Sequence, residues 1–207
     1  MKPTEVLMEE HRVIEQVIGC IEKMAAIAEA TGKVDAERSL QSIEFVRHFA
    51  DHCHHAKEED QLFTLMQQRG FAMGQGPIAV MLDEHETGRY HVGNMEAAVQ
   101  AYVNGDERSA QKFARHTRAY AELLKAHIVK EDFILYPMAD EAFSEEDQDQ
   151  LIAAFDQVEK SHQDHHEKYL AVADEIGQHY NVERPKEPNY EGLAKVCPAH
   201  ASLPCDH

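Results

Sequence analysis

The chain has 207 residues, with 38 acidic against 20 basic side chains and a formal charge of −18. That balance repels phosphate backbones and anionic membrane surfaces, so nucleic acid is not an expected partner. The opening MKPTEVLMEEH lacks the basic flank and apolar run of a signal peptide, and no stretch reaches the roughly 18 uninterrupted apolar residues of a membrane span. A soluble, cytoplasmic protein without a membrane partner is therefore expected.

Apolar residues recur at steps of three and four through five long segments, which predicts an all-helical fold. The first helix should run from about Pro3 to Ala30, ending at Thr31-Gly32, and Asp35 can N-cap a second that reaches about Arg69. After a loop from Gly70 to Pro77, a third helix should last to Asn104-Gly105, with Pro77 suited to its first turn. Asp106 can cap a fourth helix to about Ala142, and Ser144 with Asp147 approximates a capping box for a fifth that ends near Tyr180. Residues 1–180 thus read as one helical domain. Residues 181–207 hold four of the seven prolines without periodicity and read as an irregular tail.

The composition has one unusual number, 15 histidines that form no terminal run. Helices two and four share a local pattern in which His54-His55-Ala56-Lys57-Glu58-Glu59 lines up with His127-Ile128-Val129-Lys130-Glu131-Asp132, the common core being HxxKExxxL followed by an aromatic. The HH and EE doublets allow either His54 with Glu58 or His55 with Glu59, and the match to helix four selects His54 and Glu58. Residues four apart share a helix face, so each His and its Glu aim at one point beside the helix.

Both pairs fall on stripes that are otherwise apolar: Ile43, Val46, Ala50, His54, Glu58, Leu62, Leu65 in helix two and Phe113, Tyr120, Leu124, His127, Glu131, Leu135, Met138 in helix four. His11 and His85 are single histidines on the inward stripes of helices one and three. Four imidazoles and two carboxylates in a core would cost several kcal/mol per uncompensated charge, and a metal cation offsets that cost. Imidazole with carboxylate suits iron, manganese or zinc, of which iron is the expectation, on His11, His54, Glu58, His85, His127 and Glu131.

These segments resemble the hemerythrin-like family with its HHE cation-binding pattern, over roughly residues 4 to 140. Glu10-His11, HHAKEEDQLF at 54–63, GPIAVMLDEHETGR at 76–89 and HIVKEDFILYP at 127–137 look like the family's four ligand-bearing segments, in the order H, HxxxE, H, HxxxE. The resemblance implies an up-down four-helix bundle with an additional C-terminal covering helix, holding two iron ions in an oxo- or hydroxo-bridged centre. The order departs from oxygen-carrying hemerythrins, whose third helix offers HxxxH and whose fourth offers HxxxxD. Here Arg89 stands four after His85; Asp132 stands five after His127, which keeps a carrier-like ligand choice on helix four open, though the echo with helix two favours Glu131. With two bridging glutamates and two histidines per iron, one position stays open on each. That favours chemistry on peroxide, nitric oxide or dioxygen over reversible transport; an oxygen or iron sensor without turnover is the alternative. Whether the chain is an enzyme, and which redox partner it would use, stays open.

Helix five carries His162, His165 and Tyr169 on its apolar stripe, either covering the site with a supporting hydrogen bond, a proton donor or an extra ligand, or simply covering the bundle. In the tail, Cys197, His200, Cys205 and His207 form a candidate zinc set of non-standard spacing. Four scattered cysteines do not read as a disulfide framework, and Cys53 reads as a small buried residue. His48, His52, His55, His91 and His116 are expected at the surface or outside the ligand set.

Overall fold

The computed structural model describes residues 1–161 and 163–189, the side chains of 161–166 excepted, and every regular element among them is a helix. His162, His165 and the candidate zinc residues Cys197, His200, Cys205 and His207 lie outside what is described. Six helices follow one another: α1 (Pro3–Thr31), α2 (residues 36–68), α3 (Gly76–Val103), α4 (residues 109–142), α5 (Glu145–Ser161) and α6 (Gln163–Tyr180). The last two lie on either side of residue 162, which is not described, and together span the expected fifth helix.

Local chemistry explains the ends. The Asp35 carboxylate accepts from the Arg38 amide at 3.1 Å, capping α2. At the start of α5 the capping box closes reciprocally, Asp147 N–H donating to Ser144 Oγ at 3.2 Å and Ser144 N–H to Asp147 Oδ2 at 3.0 Å. Gly32 takes φ 67° after α1, which a Cβ would disfavour, and donates its amide to Ala28. Asp106 precedes α4 but accepts from Ser109 Oγ and the Arg108 amide, so the regular helix begins at Ser109 rather than directly after the aspartate.

The bundle core is two apolar clusters. One holds Leu7, Leu62, Phe63, Met66, Ile78, Met81, Leu135 and Tyr136; the other includes Ile14, Ile18, Phe45, Phe49, Val92, Met95, Phe113 and Leu124. Along α1 and α3 the chain passes from the first cluster to the second, and along α2 and α4 it returns. The four helices therefore run up, down, up and down. Each fully buried Leu, Ile or Phe contributes roughly 1.5–3 kcal/mol, so both clusters are substantial. Leu151 and Phe155 of α5 cover the first cluster, while Tyr169, Ala173 and Ile176 of α6 cover the second.

Between the clusters lies a buried polar layer, and there the winding changes. Val46–His55 and Lys57–Leu62 of α2 and Glu131–Leu135 of α4 are π-helical. π-Turns are rare and concentrate at functional sites, since one extra residue per turn re-aims side chains. No described helix is long and apolar enough to cross a membrane.

Candidate metal centre

All six residues singled out by the histidine and glutamate stripes meet in that layer, each with at most 2% of its surface exposed. Together with His55 they form two overlapping sets in which one ligand atom per residue lies within 4.8 Å of the others: His11, His54, Glu58 and Glu131; and His55, Glu58, His85 and His127. Glu58 belongs to both. Glu131 also spans them, with Oε2 3.3 Å from His11 Nε2 and Oε1 3.1 Å from His127 Nε2.

His55 corrects the sequence expectation. It is not a surface group: it is buried, its ring stacked on His85 with centroids 3.7 Å apart and planes at 15°. His48 keeps to the outside of the ligand set, stacked on Tyr169, and His91 and His116 face one another elsewhere, Nδ1 to Nδ1 at 3.1 Å. Tyr169 packs on Phe45 within the second core cluster, so it is a core residue rather than part of the site.

The outer nitrogen of every site histidine meets a carboxylate. Nδ1 of His11 is 2.7 Å from Asp132, that of His54 2.9 Å from Glu10, that of His55 3.3 Å from Asp51, that of His85 2.7 Å from Glu59, and that of His127 2.8 Å from Glu84. Such a partner engages Nδ1 and turns Nε2 toward the interior, the orientation found in metal-ligating histidines. Each carboxylate is in turn held by a cation: Asp132 by Arg12, Glu10 by Lys57, Asp51 and Glu59 by Arg89, and Glu84 by Lys130. Five His–carboxylate–cation chains thus radiate from the layer.

The inner carboxylates lack adequate partners. Glu58 Oε2 and both Glu131 oxygens are buried and accept no hydrogen bond, an arrangement that costs several kcal/mol unless something else satisfies it. Burial and the facing Glu131 carboxylate push the Glu58 pKa well above its ordinary range. Glu131 is held well below that range, because His127 and His11 outweigh its burial. Burial, followed by the charge of His85, pushes His55 well down, whereas His11, despite burial, is raised to about 9 by Asp132 and Glu131. Two facing carboxylates with inward imidazole nitrogens form a donor set that fits one or two metal cations.

Two further features were not singled out in the sequence. The Tyr136 hydroxyl donates to Glu58 Oε1 at 2.7 Å and lies 3.4 Å from His11 Nε2. Its position five after Glu131, at the end of the aligned echo, was the available signal. A cavity of about 80 Å³ adjoins the second set, lined by His55 and His85 and by the apolar Val46, Val92 and Leu124.

The description of the matching family model is Hemerythrin HHE cation binding domain, over residues 2–139. The chain is 24% identical over 133 residues to an uncharacterized protein of Mycobacterium tuberculosis and, to the same extent, to one of Mycobacterium bovis; the match covers 64% of this chain and 51% of each relative. The chain thus spans about half the length of the curated relatives it matches. No solved structure gives a significant match.

Proposed function

We propose, from the premise that the chain belongs to the hemerythrin HHE cation-binding family, that it is a non-haem di-iron protein acting on a small molecule: peroxide, nitric oxide or dioxygen. The supporting observation is the convergence of five imidazoles, every outer nitrogen held by a carboxylate, on two buried glutamates with unpartnered oxygens. His11, His54, His85 and His127 would hold the ions at the ends of the layer, with Glu58 and Glu131 between them. Two neighbouring irons supply two-electron redox chemistry when bound.

The chain's own residues do the rest. Apolar walls exclude bulk water, the outer carboxylates keep the rings oriented, and Tyr136 holds a hydroxyl proton at Glu58 Oε1, beside His11. A cavity of about 80 Å³ admits molecules of only a few atoms. A second reading, an oxygen- or iron-sensing module without turnover, draws on the ionic path from His54 through Glu10 and Lys57 to Glu159 on α5, which joins the layer to a helix outside the bundle.

The test is iron analysis of protein loaded anaerobically, then peroxide turnover on an oxygen electrode and nitric oxide binding to the reduced form. Two irons with peroxide consumption support the redox reading. Two irons with reversible binding and no product support the sensor. Absence of bound iron overturns both.

A further inference from the structure

His54 and His55 are neighbours in sequence, and on a regular α-helix neighbours point to different faces. Here the π-helical winding of Val46–His55 brings both into the buried layer, His54 in the set with His11 and His55 in the set with His85 and His127. The two rings are held differently. His54 Nδ1 meets Glu10, which Lys57 anchors from within the core. His55 Nδ1 meets Asp51, one turn earlier on the same helix.

Asp51 is itself fixed by Arg89 of α3, whose Nε donates to Asp51 Oδ1 at 2.9 Å. The same guanidinium donates to Glu59 Oε1 at 2.7 Å, and that oxygen lies 2.7 Å from His85 Nδ1. One planar cation therefore clasps both carboxylates that orient the stacked pair His55 and His85. A guanidinium can do this because its donors form a rigid fork; an ammonium offers only a point charge. With its outer nitrogen held, His55 has its other ring nitrogen for the interior, where Glu58, His85 and His127 converge.

We propose that His55 is a metal ligand, the third imidazole of the second metal position, and that Arg89 is the positioning residue that holds it and His85 in place through Asp51 and Glu59. This rests on the two-metal reading above. It makes the two positions unequal, three imidazoles in one and two in the other.

The experiment is anaerobic titration of the metal-free full chain with iron(II), followed by metal analysis and Mössbauer spectroscopy. Wild type should bind two irons with distinguishable spectra. His55→Ala should retain one and hold the second at least tenfold more weakly. Arg89→Ala should weaken the same iron by 10- to 100-fold, with partial recovery in Arg89→Lys. Arg118→Ala, which removes an ion pair with Glu29 far from the layer, should bind both irons normally and serves as the control. Melting of each metal-free variant at the wild-type temperature separates a ligand effect from a folding defect; Asp51→Asn provides a milder change should His55→Ala fold poorly. His55→Ala binding both irons at wild-type affinity, with an unchanged spectrum, would overturn the proposal. Wild type binding no iron would instead remove the two-metal reading beneath it.

Discussion

His85 and His127 face one another nitrogen to nitrogen, Nε2 to Nε2 at 3.0 Å, while each Nδ1 is engaged by a carboxylate. In the metal-free protein one of the two facing nitrogens must carry a proton for the contact to be attractive. His127 has its pKa raised, Glu131 and Glu84 outweighing its burial, so it is the natural carrier. Metal must displace that proton. Uptake should therefore release protons, and affinity should fall as the pH is lowered; calorimetry in buffers of different ionisation enthalpy measures the number released.

The outer carboxylates should matter nearly as much as ligands. Glu84→Ala, which frees His127 Nδ1, should cost 10- to 100-fold in metal affinity, whereas Glu58→Ala or Glu131→Ala should remove most of the metal. Glu29→Ala, at a surface ion pair with Arg118, should leave affinity unchanged. Equilibrium metal competition against a chelator distinguishes the three classes.

Tyr136→Phe should have opposite weights in the two states. Without metal, the Tyr136 hydroxyl is the donor to Glu58 Oε1, and its loss should destabilise the fold by about 1–3 kcal/mol. With metal bound, Glu58 has another partner and the penalty should shrink. The loaded wild type should in any case melt higher than the metal-free form, since metal binds the native state. Parallel thermal melts of both proteins, with and without iron, give the comparison.

The metal-free protein should be most stable near neutral pH. For Glu10, burial opposes ionisation, but the His54 hydrogen bond and the Lys57 charge lower its pKa to about 2 from 4.5. Its contribution, on the order of 3 kcal/mol, is present above the unfolded value and lost as pH falls through the folded one. Burial lowers His54 to about 4 from 6.5, so a cost grows between those values on acidification. His11, raised from 6.5 to about 9, contributes fully below the lower value and loses that contribution as pH rises through the upper one. Urea midpoints across pH should trace a dome falling on both sides.

Packing away from the metal layer has its own test. A Cβ on Gly177 of α6 would lie 2.2 Å from Gln16 Nε2 and 3.0 Å from the Val182 carbonyl oxygen. The Gln16 side chain can shift, but the backbone oxygen cannot easily do so. Gly177→Ala should destabilise by about 1–3 kcal/mol without changing metal affinity, as denaturation midpoints and metal titration would show.

Helix periodicity carried most of the architecture into the sequence, because the apolar stripes and the capping residues Asp35 and Ser144 are local signals. The echo between His54/Glu58 and His127/Glu131 located the buried layer for the same reason. His55 was hidden because the stripe argument assumes uniform α-helical winding, under which adjacent residues diverge; the π-turns that bring His54 and His55 into one layer have no local signature. The five supporting carboxylates were equally hidden. In the sequence Glu59 and Asp132 stand only as alternative ligands and Glu10, Asp51 and Glu84 have no assigned role, because only the packing of neighbouring helices turns most of them toward a histidine on another helix.

Lys57 is fully buried, its ammonium 2.5 Å from Glu10 and 2.7 Å from Glu159, above the Phe155 ring. Glu159 lies beyond residue 139, where the family match ends. A fragment trimmed to that boundary would lose both Glu159 and the Phe155 ring, uncovering an ammonium that lies one contact away from the carboxylate that orients His54. Through Lys57, α5 is thus tied to the metal layer itself and is more than a cover laid over the bundle.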